Sequence, residues 1–230
     1  MDIPVIYEDN HLLVVDKPIN MPSQKDESKD LDLQSSLKAL LKEKYGKPGN
    51  VFLALVQRLD RPVSGVMVLA KTSKAASRLS DQIRTRTFSK KYQAVVIGQC
   101  PPKGKLVNHL IKDAKTNITS VVPASSKYGK EAILEFTRLG FQNGCSLIEV
   151  KLITGRPHQI RVQFAAAGFP LWGDKKYGEQ ASLLVRFQTR QKGSIALRSV
   201  EINFNHPTKN EPLQFEVERP GFEPWSYFSF

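Results

Sequence analysis

The stretch VFLALVQRLDRPVSGVMVLAKT, residues 51–72, joins two apolar runs through a short charged segment. The runs Val51–Val56 and Val66–Ala70 have the length and composition of buried strands. Ser64 and Gly65, which precede the second run, are typical of a turn. We therefore predict two core strands, with the charged segment at the point where the chain turns back into the core.

The charged segment RLDR places Asp60 between Arg58 and Arg61. Neighbouring cations favour the ionised form of a carboxyl group, so this aspartate is expected to carry its charge. An ionised carboxylate of this kind suits a nucleophile or an electrostatic stabiliser. A structural ion pair, or a brace for the turn at 62–65, explains the same pattern. Taken alone, the pattern favours the structural interpretation.

Charge and composition point to a polyanionic partner. The chain has 230 residues, with 34 Lys and Arg against 22 Asp and Glu, which gives a formal net charge of +12. Its pI is near 9.7, and a surface of this kind attracts nucleic acid. The alternative is a basic soluble surface without such a partner. A hydrophobic content of 40% is ordinary for a globular protein.

The sequence contains no signal for a metal or a membrane. Cys100 and Cys145 form neither a disulfide framework nor a CxxC pair, and the four histidines lack metal-ligand spacing. The longest apolar run is far too short to cross a bilayer, and the N-terminus lacks the regions of a signal peptide. We therefore expect no metal, no membrane association and a reducing, cytoplasmic location.

The secondary-structure pattern predicts an α+β fold. Residues 5–18 form a hairpin pattern, and helices are predicted over 31–45, with Asp30 as the cap, and after a cap at Ser73. Later strands are predicted in KYQAVVIG, AILEFTRL, SLIEVKL and LRSVEINF, with an Asn-Gly hairpin turn between the second and third. Strands outnumber helices without regular alternation, so we expect a mixed, largely antiparallel sheet with flanking helices.

A third helix is predicted in RPHQIRVQFAAAG, residues 156–168, with Pro157 in its first turn. Arg156 stands at the start of this helix, and His158 and Arg161 lie together on one flank. Cations at a helix N-terminus oppose the helix dipole, so their presence indicates a nearby anion, either a phosphate or the acid of RLDR. A solvated basic face is the alternative.

The segment RTRTFSKKYQA, residues 84–94, interleaves basic side chains with Phe88 and Tyr92. Such a mixture can hold a phosphate backbone and stack a base. An exposed loop that leads into a strand explains it equally well. The nearby GVMVLAKT is not a phosphate-binding loop, because Ala70 stands where that motif needs its second glycine.

Four segments occur in an order that closely resembles the RluA-like family of RNA pseudouridine synthases: QRLDRPVSGVMVLAKT, KKYQAVV, LITGRPHQIRVQFAAAGFPLWGDKKYG and IALRSVEINFNHPTKNEPLQFE. The opening VIYEDNHLLVVDKP matches the usual start of that catalytic domain, so the resemblance extends from about Val5 to Pro220. It implies the pseudouridine synthase fold with a central active-site cleft. It also implies one catalytic domain over residues 1–230, without a separate N-terminal RNA-binding domain.

The resemblance further implies an activity, the isomerisation of a specific uridine in ribosomal or transfer RNA to pseudouridine. In this reaction the bond from the base nitrogen to the ribose breaks, the uracil turns in place, and it rejoins through a ring carbon. No cofactor is expected. RNA is the expected partner, and the protein is expected to be a monomer.

The family's motifs assign roles to particular residues. Asp60 of RLD is the implied catalytic aspartate, Tyr92 of KxY the active-site tyrosine, and Arg161 of HQIR the arginine that pairs with the aspartate. Arg156 is the second choice for that arginine, and the catalytic groups are expected to meet in one cleft. The candidate substrate-binding residues are Arg58, Arg61, Arg156, His158, Gln159, Lys90, Lys91 and Arg86, with Lys71 and Arg84 as further candidates for holding the RNA backbone.

Four positions depart from the family pattern. Gln57 replaces the usual histidine before RLD, and Asn20 stands where glycine is common. Gln163 replaces a frequent histidine after HQIRV, and Leu-Arg-Ser at 197–199 replaces a common Leu-His-Ala. We expect these departures to affect substrate choice more than chemistry. Two alternatives remain open: a non-catalytic RNA-binding module on the same fold, and a nucleic-acid glycosidase, which also uses a carboxylate at the sugar.

Overall fold

The computed structural model describes residues 3–178 and 194–228. The chain divides into two compact units, each built from two segments: Met1–Lys90 with Ser199–Val217, and Lys91–Arg198 with Glu218–Phe230. Within the described residues, no helix has both the length and the apolar character needed to cross a membrane.

The first unit is a set of antiparallel strands with two helices. Its elements are β1 (Val5–Glu8), β2 (Leu12–Lys17), α1 (Leu33–Lys44), β3 (Ala54–Leu55), β4 (Ser64–Ala70), α2 (Ser73–Arg84), most of β10 (Leu197–Asn205) and β11 (Pro212–Glu216). β2 pairs with β1 and β4, β3 also pairs with β4, and β11 pairs with β10. Every residue of β4 is buried, as its unbroken apolar run predicts.

The turn before β4 lies earlier than predicted. Ser64 and Gly65 are the first residues of β4, and the turn is closed by the Val63 N–H, which donates to the Asp60 carbonyl oxygen at 3.0 Å. A Cβ atom on Gly65 would lie 2.1 Å from the backbone oxygen of Ser199. The glycine is therefore required by the close approach of β10, and the prediction of a Ser-Gly turn is wrong.

In its described residues, the second unit has five antiparallel strands, one α-helix and a short 3₁₀ helix. Its elements are β5 (Ser89–Ile97, whose first two residues belong to the first unit), β6 (Lys103–Asp113), β7 (Ile118–Val122), β8 (Lys130–Gln142), β9 (Cys145–Leu152), α3 (Gln159–Ala166) and a short 3₁₀ helix (Trp225–Phe228). The strand order is β5-β9-β8-β6-β7. Asn143 and Gly144, both with positive φ, form the β8–β9 turn, which confirms the predicted hairpin.

The sequence placed the first two helices correctly but misassigned their caps. Asp32, not Asp30, caps α1, and its carboxylate accepts the backbone N–H three residues later at 2.9 Å. Thr72, not Ser73, caps α2 in the same way. The apolar run at 51–56 forms only the two-residue strand β3. The predicted α+β class, with few helices and largely antiparallel strands, is confirmed.

Candidate active site

The loop that carries Asp60 is held through the backbone of its neighbours. The Ser23 hydroxyl donates to the Leu59 carbonyl at 2.7 Å and accepts the Leu59 N–H at 3.2 Å. The Lys17 ammonium group donates to the Arg61 carbonyl at 3.3 Å. The backbone on both sides of Asp60 is therefore held by Lys17, the last residue of β2, and by Ser23 in the loop that follows. These bonds restrict where the side chain of the partly buried Asp60 can lie.

Lys17 is a buried cation next to this loop. Its side chain is fully buried, and its Nζ also donates to the carbonyls of Met21 at 2.6 Å and Pro18 at 3.0 Å. Burial lowers the pKa of Lys17 to about 7, while the negative charge of Asp60 acts in the opposite direction. Sequence reasoning missed this residue. The available signal was the Lys-Pro pair in DKPIN, where the lysine ends a strand that begins with four buried residues.

The two arginines of RLDR have different surroundings. Arg58 is exposed, as a residue that contacts RNA phosphates must be. The guanidinium of Arg61 forms ion pairs with Asp30 and, at 3.9 Å, with Asp26, and its Nε donates to the Asn20 carbonyl at 3.3 Å. An RNA phosphate would have to displace these carboxylates to use Arg61.

Asn20 itself has a φ of 62°, a left-handed conformation that asparagine tolerates better than most residues. This accounts for the replacement of the glycine that is common at this position.

Tyr92 lies on the face of the second unit that α3 covers. In the strand register Tyr92 faces Val150 of β9, and Val150 faces Phe136 of β8. Facing residues of an antiparallel pair project to the same side of a sheet. The Phe136 ring contacts the Phe164 ring of α3, with 5.2 Å between their centroids. Tyr92, which is buried, and α3 are therefore on one side of the second unit.

The guanidinium of Arg161 is buried and held by a carboxylate of the same unit. Its Nε donates to Oδ2 of Asp174 at 2.7 Å, and its Nη2 donates to Oδ1 at 2.9 Å. The guanidinium carbon lies 5.1 Å from the centroid of the Tyr177 ring. Neither Asp174 nor Tyr177 was assigned a role from the sequence, although both stand in the quoted WGDKKYG.

The start of α3 differs from the prediction. Pro157 lies before the helix, and His158, the residue preceding the first turn, has a left-handed φ of 54°. The His158 side chain makes no capping hydrogen bond to this helix, and its Nδ1 atom lies 2.5 Å from the Tyr177 hydroxyl. The prediction of Pro157 in the first turn is wrong because the chain turns through His158 before it enters the helix.

Gln159 and Arg156 make contacts within the protein. The Oε1 atom of Gln159 accepts bonds from the Thr154 hydroxyl at 2.9 Å and the Arg156 N–H at 3.0 Å, and its Nε2 donates to the Ile133 carbonyl at 3.0 Å. This buried amide ties the TGR turn to β8, so its observed bonds are structural. The Arg156 guanidinium donates from Nε to the Glu131 carbonyl at 2.8 Å.

The basic residues around the start of β5 differ in their exposure to solvent. Lys90 is partly buried and lies over the Phe88 ring, 5.5 Å from its centroid, and burial lowers its pKa to about 8. Lys91 is partly exposed, and Arg86 is exposed with a left-handed φ of 62°.

Two further candidates for holding the RNA backbone already have acidic partners. Lys71 binds Glu8 at 2.7 Å, and Arg84 binds Asp81 at 2.5 Å.

Two of the residues that depart from the family pattern are buried amides. Gln163 donates from Nε2 to the Asn108 side chain at 2.8 Å and to the carbonyls of Ala132 and Leu106. Gln57 is also buried, three residues before Asp60, and within the described residues its Nε2 has no hydrogen-bond acceptor.

Over residues 3–178 and 194–228, no three His, Cys, Asp or Glu side chains are grouped as a metal site would require.

Comparison with known proteins identifies related chains. A family model described as RNA pseudouridylate synthase matches residues 11–166, a range that contains Asp60, Tyr92 and Arg161. The chain is 34% identical over 218 residues to the ribosomal large subunit pseudouridine synthase C of Vibrio vulnificus, with 93% of this chain and 64% of that protein covered. It therefore spans less than two thirds of the length of that relative.

A second curated relative and a solved structure are also similar to this chain. The ribosomal large subunit pseudouridine synthase D of Zymomonas mobilis is 31% identical over 232 residues, covering 95% of this chain and 70% of that protein. The solved structure of human RNA pseudouridylate synthase domain containing 4 superimposes with a TM-score of 0.76 over 94% of this chain and 88% of that one. At 24% identity the structural match supports the fold alone.

Proposed function

The chain belongs to the RNA pseudouridylate synthase family, and we propose on this basis that it converts a uridine in RNA to pseudouridine. The observation that carries the proposal is the family match over residues 11–166, which includes each candidate catalytic residue. The contacts around these residues support it. The loop of Asp60 is fixed on both sides, and the guanidinium of Arg161 is buried and oriented.

The proposed reaction is an isomerisation, so atoms and electrons balance without a cofactor. The bond between the base nitrogen and the anomeric carbon breaks, a bond forms from ring carbon C5 to the same anomeric carbon, and the C5 proton leaves while the nitrogen gains one. We propose that Asp60 supplies the carboxylate that acts at the sugar, either by attacking the anomeric carbon or by removing the 2′ proton. A uridine within a structured RNA must leave its stack to reach such a carboxylate.

The other two catalytic assignments follow from the chemistry of the side chains. The Tyr92 ring offers a surface on which the detached uracil stacks, and its hydroxyl offers a group for proton transfer at the ring. Arg161 is a permanent cation that stabilises negative charge on a carboxylate or on the detached base. Its buried position strengthens that interaction relative to one in water.

RNA is the proposed partner, and the net charge of +12 supports electrostatic attraction to its phosphates. We propose ribosomal or transfer RNA as the substrate, and the names of relatives that refer to the large ribosomal subunit support ribosomal RNA. The exposed Arg58 and Arg86 and the partly exposed Lys91 are the proposed phosphate contacts. We further propose a monomer that acts in the cytoplasm, with residues 1–230 forming one catalytic domain.

The test uses purified protein and RNA transcripts that carry tritium at C5 of uridine. Pseudouridine formation releases tritium to water and leaves no free uracil. Release of uracil instead indicates a glycosidase. RNA binding without either product, across ribosomal and transfer RNA transcripts, indicates a non-catalytic RNA-binding module. Mapping pseudouridines in RNA from cells with and without the gene then identifies the target site.

A further inference from the structure

We infer that Asp174 and Tyr177 are positioning residues that fix the Arg161 guanidinium for the proposed reaction. This inference rests on the proposed function, since Arg161 is a candidate catalytic residue only in that context. Both residues lie in the LWGDKKYG segment, whose side chains the proposed chemistry does not otherwise use. Both side chains contact the same guanidinium group.

Asp174 holds Arg161 from one edge. The carboxylate is 1% exposed and the arginine 6% exposed, so both charges are withdrawn from water. The two oxygens accept from Nε and Nη2 in the parallel, bidentate geometry that matches a planar guanidinium. A single carboxylate bound in this way fixes the plane of the guanidinium as well as its position.

Asp174 is itself oriented by its own loop. Its Oδ1 atom accepts the Lys176 N–H at 3.0 Å and the Tyr177 N–H at 3.3 Å, and its backbone carbonyl accepts the Gly178 N–H at 2.8 Å. These bonds wrap residues 174–178 around the carboxylate. The carboxylate therefore cannot follow Arg161 if the arginine moves, and the loop determines where the guanidinium lies.

Tyr177 contacts the same guanidinium with the face of its ring. The ring centroid lies 5.1 Å from the guanidinium carbon, within the range of a cation–π contact. The hydroxyl at the other end of the ring accepts the Thr119 N–H at 3.0 Å and contacts Nδ1 of His158 at 2.5 Å. The ring is thus held by both β7 and the residue before α3. Arg161 has a fixed carboxylate at its edge and lies over a fixed aromatic ring.

The difference between a positioning role and a merely structural role appears in a double-mutant cycle. The variants are Arg161→Met, Asp174→Asn and the two combined, and the readout is the single-turnover rate of tritium release from C5-labelled ribosomal and transfer RNA transcripts. RNA affinity is measured separately by filter binding. Displacing a reacting group by about 1 Å lowers a rate on the order of 100-fold. We expect Asp174→Asn to lower the rate to about that extent at unchanged RNA affinity.

In the Arg161→Met background, the same Asp174→Asn change should have no further effect on the rate, because its target is gone. An equal loss in both backgrounds would overturn the inference. A wild-type protein that releases no tritium refutes the proposed function instead, so the two failures are distinguishable. Asp113→Asn, which changes an exposed aspartate at the end of β6 in the same unit, is the matched control and should keep the wild-type rate.

A second pair of variants guards against loss of folding in Asp174→Asn, which removes one counter-charge of a buried arginine. Tyr177→Phe keeps the ring and removes the hydroxyl contacts, whereas Tyr177→Leu removes the ring as well. We expect a graded loss of rate, larger for Tyr177→Leu, that also disappears in the Arg161→Met background. Wild-type rates for both variants would contradict the role of Tyr177.

Discussion

The Ser23 hydroxyl makes hydrogen bonds to both backbone groups of Leu59, the residue immediately before Asp60. The bonds are buried, and they join two segments that are 36 residues apart in the chain. Together with the bond from Lys17 to the Arg61 carbonyl, they fix the peptide on each side of the proposed catalytic carboxylate. The geometry of Asp60 therefore depends on residues outside the RLD motif.

Replacing Ser23 by Ala should destabilise the protein and slow the reaction. The change leaves a buried N–H and a buried C=O of Leu59 without their partner, which costs roughly 1–3 kcal/mol. Urea denaturation measures the stability, and tritium release measures the rate. Ser36→Ala, which removes a hydroxyl bond within α1, is the control and should lower stability less without slowing the reaction. An unaltered free energy of unfolding in Ser23→Ala would contradict the proposed constraint.

The lowered pKa of Lys17 should make stability depend on pH. Between pH 7 and 10 the unfolded chain keeps the proton on Lys17 that the folded protein loses, so the contribution of this group to the free energy of unfolding rises with pH. Lys17→Met removes this dependence. From pH 7 towards pH 10, wild type should gain roughly 1 kcal/mol per pH unit relative to Lys17→Met. Parallel stability curves for the two proteins would show that the pKa of Lys17 is not lowered.

Gln57 and Gln159 are both buried amides, and their replacement should have opposite effects. Gln57→Met removes a buried donor that has no acceptor in the described part of the chain, so stability should rise by about 1 kcal/mol. Gln159→Met removes three hydrogen bonds and should lower stability by about 2–4 kcal/mol. Thermal and urea denaturation of both variants measure whether the free energy of unfolding rises or falls relative to wild type. A loss of stability in Gln57→Met would mean that its amide has a bound partner such as water.

RNA binding should weaken with salt, and the proposed phosphate contacts should determine the slope. Each phosphate contact contributes about 0.7–0.9 to the slope of log affinity against log salt concentration. Arg58→Gln and Lys91→Gln should each lower the slope by about that amount and weaken binding to all RNA sequences alike. Lys42→Gln, on the exposed side of α1, is the control and should leave the slope unchanged. If all three variants kept the wild-type slope of log affinity against log salt concentration, the RNA would bind elsewhere on the protein.

Much of the fold could be predicted from local sequence patterns. The Asn143-Gly144 turn was predictable because two adjacent residues determine its conformation. The burial of β4 was predictable because its sequence is a continuous apolar run. The caps were misassigned by one or two residues, because Asp30 and Asp32 are both acceptable before the same helix and tertiary contacts select one.

The candidate site was only partly predictable. Motif resemblance supplied Asp60, Tyr92 and Arg161 but not the groups that hold them. The partner carboxylate of Arg161 is 13 residues away, and the hydroxyl that holds Leu59 is 36 residues away. Lys17 is an extreme case, since a lysine in a sequence is normally expected to be exposed, and its position at the end of an apolar strand was the only local signal of its burial.

The central claim is that Asp60 is the catalytic carboxylate of a uridine isomerase. The most direct measurement is tritium release from C5-labelled RNA by Asp60→Asn, alongside RNA affinity and thermal stability, with Asp113→Asn as the control. The account predicts that Asp60→Asn forms no pseudouridine while it stays folded and binds RNA as wild type does, since the carboxylate does not hold phosphates. Pseudouridine formation by a folded Asp60→Asn protein at the wild-type rate would contradict the claim.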